Sequence, residues 1–192
     1  MSRKTVYYHD PLHDDFAPTN GHIRPKPIGA DFPYEHPSPV WQALAFVVYR
    51  LIMTPFLFLY CKLVFGLRIE NRRALRALPG GYFLYGNHTN TLADAFIPTL
   101  LAFPRRANIV TAADTVSIPG VRNIVQMLGA IPLANTIEGT RQFLAAMHRR
   151  LERGQAVTIY PEAHIWPYYN GIRPFPDTAF SYPVREQLPA VA

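Results

Sequence analysis

The sequence predicts an α/β protein: a central, mostly parallel sheet flanked by helices, preceded by an apolar helical segment that associates with a membrane. From Tyr82 onward, short apolar runs alternate with helical patterns, which argues for an α/β layer. Before them, Trp41 to Ile69 is apolar on nearly all sides. Gly, Pro and Asn fall between the periodic segments, where turns belong.

Residues 1–40 carry seven prolines and little apolar periodicity, so they read as an extended or disordered arm. Met1-Ser2-Arg3-Lys4 is followed by no apolar core, so no secretory signal is expected. Residues 41–78 form the membrane-associating segment. Arg50 and Lys62 interrupt its apolar run and Pro55 breaks helical continuity, which predicts two short helices lying in the membrane interface. The two cations snorkel to the headgroups. Arg68, Arg72, Arg73 and Arg76 follow directly and point to the cytoplasmic face and anionic lipid.

Residues 79–192 form the α/β domain. Strands are expected at Tyr82–Tyr85, Asn108–Thr111, Ala130–Leu133 and Ala156–Tyr160. Helices are expected at Leu92–Leu101, Val121–Leu128 and Thr136–Arg153. In the last helix Phe143, Met147 and Leu151 recur every fourth residue, Asn135 is placed to cap, Glu138 sits in the first turn and Gly154 follows the end.

The whole chain of 192 residues suffices for one compact domain with a sizeable core. Charged residues make up 17% and hydrophobic residues 49%, an apolar balance against the usual ~25% charged. The net charge of +6 suits an anionic membrane surface or a phosphorylated substrate. No nucleic-acid module or basic–aromatic cluster is visible, so nucleic acid is not an expected partner. The single cysteine, Cys61, excludes an intrachain disulfide and reads as a buried, inert thiol.

Two constellations carry chemistry. The first is Tyr85-Gly86-Asn87-His88-Thr89-Asn90-Thr91-Leu92-Ala93-Asp94. A strand that ends in a turn and opens a helix presents side chains at the mouth of a sheet. His88 and Asp94 there can act as a general base and the carboxylate that fixes its tautomer. The same residues also spell a capping box, Thr91-x-x-Asp94. The second is Tyr160-Pro161-Glu162-Ala163-His164-Ile165-Trp166-Pro167, followed by Gly171-Ile172-Arg173-Pro174-Phe175. A glutamate at a strand end with an arginine close behind suits hydroxyl and phosphate groups; the same pattern also suits a rigid, aromatic-packed loop. Both follow strands, so His88 and Glu162 are expected to face one crevice at the carboxyl ends of the sheet.

Together, over Tyr82 to Pro189, these motifs resemble the glycerol-phosphate and lysophospholipid acyltransferase family (1-acylglycerol-3-phosphate acyltransferase-like). Its Asn-His and later Asp match Asn87-His88 and Asp94, with five intervening residues here instead of four. Its Phe-Pro-Glu-Gly-Thr-Arg block matches at Tyr160-Pro161-Glu162 and departs at Ala163, His164 and Ile165. Its Pro-Phe matches Pro174-Phe175, and its final strand resembles Leu188-Pro189-Ala190-Val191. The family often has an arginine after the third strand, where Asn135 stands.

The resemblance implies transfer of a fatty acyl group from acyl-CoA or acyl carrier protein, as co-substrate, to a lysophospholipid or glycerol phosphate hydroxyl. It implies His88 and Asp94 as catalytic residues, no cofactor and no metal, with membrane lipids and the thioester carrier as partners. Asn87, Glu162, His164 and Arg173 are assigned to substrate binding. Arg173 is the expected substitute for the missing phosphate-gripping arginines, with Arg105, Arg106 and Arg122 behind it. The extra residue before Asp94 turns an ideal helical partner by about 100°. His88 must then sit in the turn, or the turn must absorb a residue. Glu138-Gly139-Thr140-Arg141 also spells the later block, yet it falls in the first turn of a helix and is read as capping and helix surface. The family's fold usually continues past the equivalent of Ala192, so the domain is expected to lack its C-terminal part. Two other classes stay open: a metal-assisted hydrolase using His88 and His164 with Glu162 or Asp94, and a membrane-bound module without catalysis.

Overall fold

The computed structural model describes residues 5–16, 25–90, 93–118 and 120–192. Its centre is a five-stranded, wholly parallel sheet built from β1 (Tyr82–Tyr85), β2 (Ala107–Thr111), β3 (Ala130–Pro132), β4 (Ala156–Ile159) and β5 (Ala190–Val191). The spatial order is β3-β2-β4-β1-β5, so the last long strand slots between the first two. All four residues of β1 and all four of β4 are buried, as expected for parallel strands covered on both faces.

Side-chain alternation sends the residues of one strand into two cores. Phe83 and Tyr85 pack with Val157, Ile159 and Ile131 against Phe143 and Met147 of α6 (Ile137–Glu152). Tyr82 and Leu84 pack on the other face with Ala102, at the end of α4 (Ala93–Ala102). α6 ends close to the sequence expectation, with Gly154 at φ 71 just beyond. Its cap is Thr136, whose hydroxyl accepts the Gly139 N–H at 3.0 Å. The Asn135 carboxamide is instead taken by the Ile28 N–H at 2.8 Å. A Cβ at Gly139 would run into the Ile28 carbonyl oxygen, so glycine lets the N-terminal segment lie directly on α6.

That segment has neither helix nor strand over 25–38, yet it is fastened to the domain. Ile28 and Tyr34 are buried in the α6-side core, and the Tyr34 hydroxyl donates to the Pro132 carbonyl at 2.9 Å. Asp14 and Phe16 reach the loop after β4, where the Trp166 indole N–H donates to the Asp14 carbonyl at 2.7 Å.

The apolar segment differs from expectation. Instead of two helices broken at Pro55, one continuous helix runs Pro39–Val64 for 26 residues. It consists of α1 (Pro39–Phe46), a π-helical stretch (Val47–Met53) and α2 (Thr54–Val64). The wider turns resolve the proline problem. Thr54 N–H bonds to the Tyr49 carbonyl, five residues back, and the Thr54 hydroxyl donates to the same oxygen at 2.7 Å. Leu57 and Cys61 dock on Leu100 of α4. The mean hydropathy of its most apolar stretch is 1.8 and only 28% of that stretch is buried, leaving Leu51, Ile52, Phe56 and Leu63 exposed. Length and composition would allow the helix to cross a membrane.

The remaining short helices are α3 (Arg72–Ala77), α5 (Arg122–Met127) and α7 (Ser181–Glu186), the last entered through a 3-10 turn (Asp177–Phe180).

Candidate active site

β1 and β4 are neighbours in parallel register, Tyr85 opposite Ile159, so the segments that leave them emerge side by side at the carboxyl end of the sheet. Residues 86–90 leave β1 without regular structure, and His88 sits in that turn. The turn absorbs the extra residue. It lets the imidazole swing back to Asp94 in the first turn of α4, where His88 Nδ1 lies 2.9 Å from Asp94 Oδ2. The same oxygen accepts the Asn90 N–H at 2.8 Å, and the Asn90 side chain takes the Ala93 N–H at 3.0 Å. Asn90 therefore serves as the cap of α4; Thr91, the capping residue expected from sequence, lies outside the described residues. Asp94 is buried at a helix start, where the helix dipole favours a negative charge.

The imidazole lies flat on Tyr160, rings 4.5 Å apart and 9° from parallel. The Tyr160 hydroxyl donates to the Asp94 backbone carbonyl, so one side chain braces both members of the pair. Burial pushes the Tyr160 phenol well above its ordinary range, which keeps it a neutral donor. Tyr160 and Asn90 were not singled out from sequence as site residues. A tyrosine at the end of a buried strand was the available signal for the first.

The loop after β4 is locked to the His88 turn by a run of bonds. Glu162 Oε2 accepts the His88 N–H at 3.0 Å. Trp166 N–H donates to the His88 carbonyl at 3.1 Å, and Tyr168 N–H to the Thr89 carbonyl at 2.9 Å. Behind them Glu162 and Arg173 form an ion pair, with Arg173 Nη2 3.2 Å from Glu162 Oε2 and each side chain only 1% exposed. The Arg173 N–H donates to Glu162 Oε1 at 3.0 Å, its Nη2 to the His164 carbonyl, and its guanidinium stacks 4.7 Å over Trp166.

Of the expected site residues, His88, Asp94 and Glu162 come together. Arg173 joins them from behind, its Nε and Nη2 bonded to Glu162 and its side chain closed to solvent. Asn87 is exposed beside His88. His164 points to the N-terminal segment, its Nδ1 3.6 Å from Asp15 Oδ2. Arg105 and Arg106 precede β2 at the opposite end of the sheet, and Arg122 stacks 4.8 Å over Phe32. Among the described residues, no group of three or more His, Cys, Asp or Glu side chains is arranged to hold a metal ion.

A base steadied by a carboxylate, next to a rigid acidic loop at the strand ends, can take a proton from a bound hydroxyl. The model of the Acyltransferase family matches residues 66–190, which covers both constellations and the sheet up to the start of β5. The chain belongs to the Acyltransferase family. No curated protein and no solved structure gave a match beside it. The family match spans β1 through the start of β5, so the His88 turn, the Glu162 loop and the Pro174-Phe175 segment all lie within the acyltransferase domain.

Proposed function

We propose that this acyltransferase-family chain moves a fatty acyl group from an acyl thioester, carried by CoA or acyl carrier protein, to the hydroxyl of a lysophospholipid or glycerol phosphate. The observation that carries the reading is the 2.9 Å contact between His88 Nδ1 and Asp94 Oδ2 at the carboxyl end of the sheet. A carboxylate at Nδ1 holds that nitrogen protonated and leaves the Nε2 lone pair for the acceptor.

In this mechanism His88 Nε2 takes the proton of the acceptor hydroxyl as its oxygen attacks the thioester carbonyl carbon. Asp94 stabilises the resulting imidazolium. The tetrahedral adduct then collapses, the C–S bond breaks, and the proton passes from His88 to the departing thiolate. Products are an ester and a free thiol. Asn87 lies open beside the base and His164 follows Glu162 on the loop after β4; both are assigned to substrate contacts. Glu162 fixes the backbone of His88, and Arg173 neutralises Glu162.

An apolar cavity of about 150 Å³ between α4, the sheet and the long helix supports an acyl substrate. Its lining includes Ala95 and Phe96, directly after Asp94, and Met53 and Leu57 of the helix. The exposed apolar face of Pro39–Val64 and the arginines that follow it support docking at the cytoplasmic leaflet, where acceptor lipid and acyl chains are found.

The test is thioester consumption by the purified full chain with acyl-CoA and lysophosphatidate, followed by a screen of lipid acceptors with mass spectrometry of the products. Acylated product that requires His88 supports the reading. Absence of acyl transfer from any thioester to any acceptor would overturn it.

A further inference from the structure

A cavity of about 530 Å³ lies at the amino ends of the strands, at the opposite end of the sheet from His88. Four guanidiniums line it: Arg50 from the π-helical stretch, Arg106 before β2, and Arg150 and Arg153 at the end of α6. A single carboxylate lines it with them, Glu35, and Arg153 engages it at 3.1 Å.

The other three arginines are held by backbone carbonyls, which orient them without cancelling their charge. Arg50 donates to Pro104, Arg106 to Met127, and Arg150 to Tyr34 at 3.0 Å. A guanidinium has five N–H donors. The Nη1 atoms of Arg50 and Arg150, and Nε2 of His36, are buried with no hydrogen-bond partner among the described residues. Arg106 lies 4.5 Å over the Tyr49 ring, which fixes its direction. Burial pushes Arg150 down to about 10; Glu35 pulls the other way, and Arg106, Arg153 and Arg149 add to the lowering. Arg106 is lowered by burial first and by Arg50 after it. Like charges gathered in a partly buried space repel unless an anion lies among them.

We infer that this cavity is a second, non-catalytic binding site for a phosphate-bearing anion, held by Arg50, Arg106, Arg150 and Arg153. Phosphate fits better than carboxylate. Its several oxygens accept fork-like pairs from more than one guanidinium, and its charge matches the excess of cations. Trp41 and Arg50 bring the wall of the cavity onto the apolar helix, so the phosphate can come from a lipid headgroup or from a soluble anion.

The experiment is calorimetric titration of the full chain, in uncharged detergent at constant ionic strength, with inorganic phosphate in one arm and dihexanoyl phosphatidylglycerol in the other. Saturable binding is expected, and Arg106→Gln and Arg153→Gln are each expected to weaken it roughly tenfold. Arg153 is exposed, so its substitution keeps the test alive if the Arg106 variant fails to fold. Tighter binding of the lipid identifies a headgroup, and equal or tighter binding of phosphate identifies a soluble anion; both support the site. No saturable heat with either probe, the same heat with chloride, or undiminished binding by the variants would overturn it.

Discussion

Glu162 Oε2 accepts the backbone N–H of His88 at 3.0 Å, so the loop after β4 fixes the turn after β1. One carboxylate thereby sets where the imidazole starts, while a second, on Asp94, sets which way it points. Arg173 makes the first carboxylate tolerable in a buried place.

His88→Ala is expected to lower acyl transfer by roughly 10²–10⁴-fold with the fold intact, the range for loss of a positioned base. Asp94→Asn should fall in a similar range, because the amide cannot stabilise the imidazolium. Initial rates with a thioester donor, beside circular dichroism, check both. Full activity of His88→Ala would remove it as the base.

Arg173→Ala leaves Glu162 charged, buried and unpaired. Breaking such a pair costs about 3–5 kcal/mol, a fall in melting temperature of roughly 6–20 °C for a domain of this size. A thermal melt checks it. An unchanged melting temperature with a raised acceptor KM would instead assign Arg173 to anchoring the acceptor directly.

Ala163 holds φ 61, the left-handed region, at the position where the resembled family's motif carries glycine. Its Cβ costs about 1–2 kcal/mol there. Glycine relieves that strain and loses part of the gain to a freer unfolded chain, so Ala163→Gly is expected to stabilise by about 0.5–1 kcal/mol. Chemical denaturation measures this; a destabilised variant would show that the strain is absent.

His148 ties α6 to α7, its Nδ1 2.6 Å from Glu186 Oε2, with Glu152 3.3 Å from Nε2. The hydrogen bond to Glu186 is the main cause that raises its affinity for a proton above the ordinary 6.5. The folded state thus holds the proton more tightly than the unfolded chain. The stabilisation is complete below pH 6.5 and is lost as pH rises through the higher folded-state value. Melting temperatures across that range should fall for the native chain, and His148→Gln should flatten this component of the slope.

The N-terminal segment shows where sequence reasoning stops. Proline content predicted an extended arm, and residues 25–38 do lack helix and strand. Nothing local revealed that Ile28 would bond to Asn135 or that Asp14 would hold Trp166, because those bonds span more than a hundred residues. The long helix is a second case. Proline chemistry predicted a break at Pro55, but a π-helical register supplies the missing space and keeps the axis continuous.

By itself the sequence determined the α/β class, the strands of the sheet to within a residue or two, the apolar helical character of the segment before it and the pairing of His88 with Asp94. Period and turn chemistry are local, and His88 and Asp94 lie only six residues apart. Only tertiary structure decided that β4 lies beside β1, which brings Glu162 under His88, and that Arg173 turns inward to Glu162 while Arg106 and Arg150 meet at the far end of the sheet. Those outcomes depend on strand order and on which charge finds a partner once water is excluded, and neither is written in any short stretch of chain.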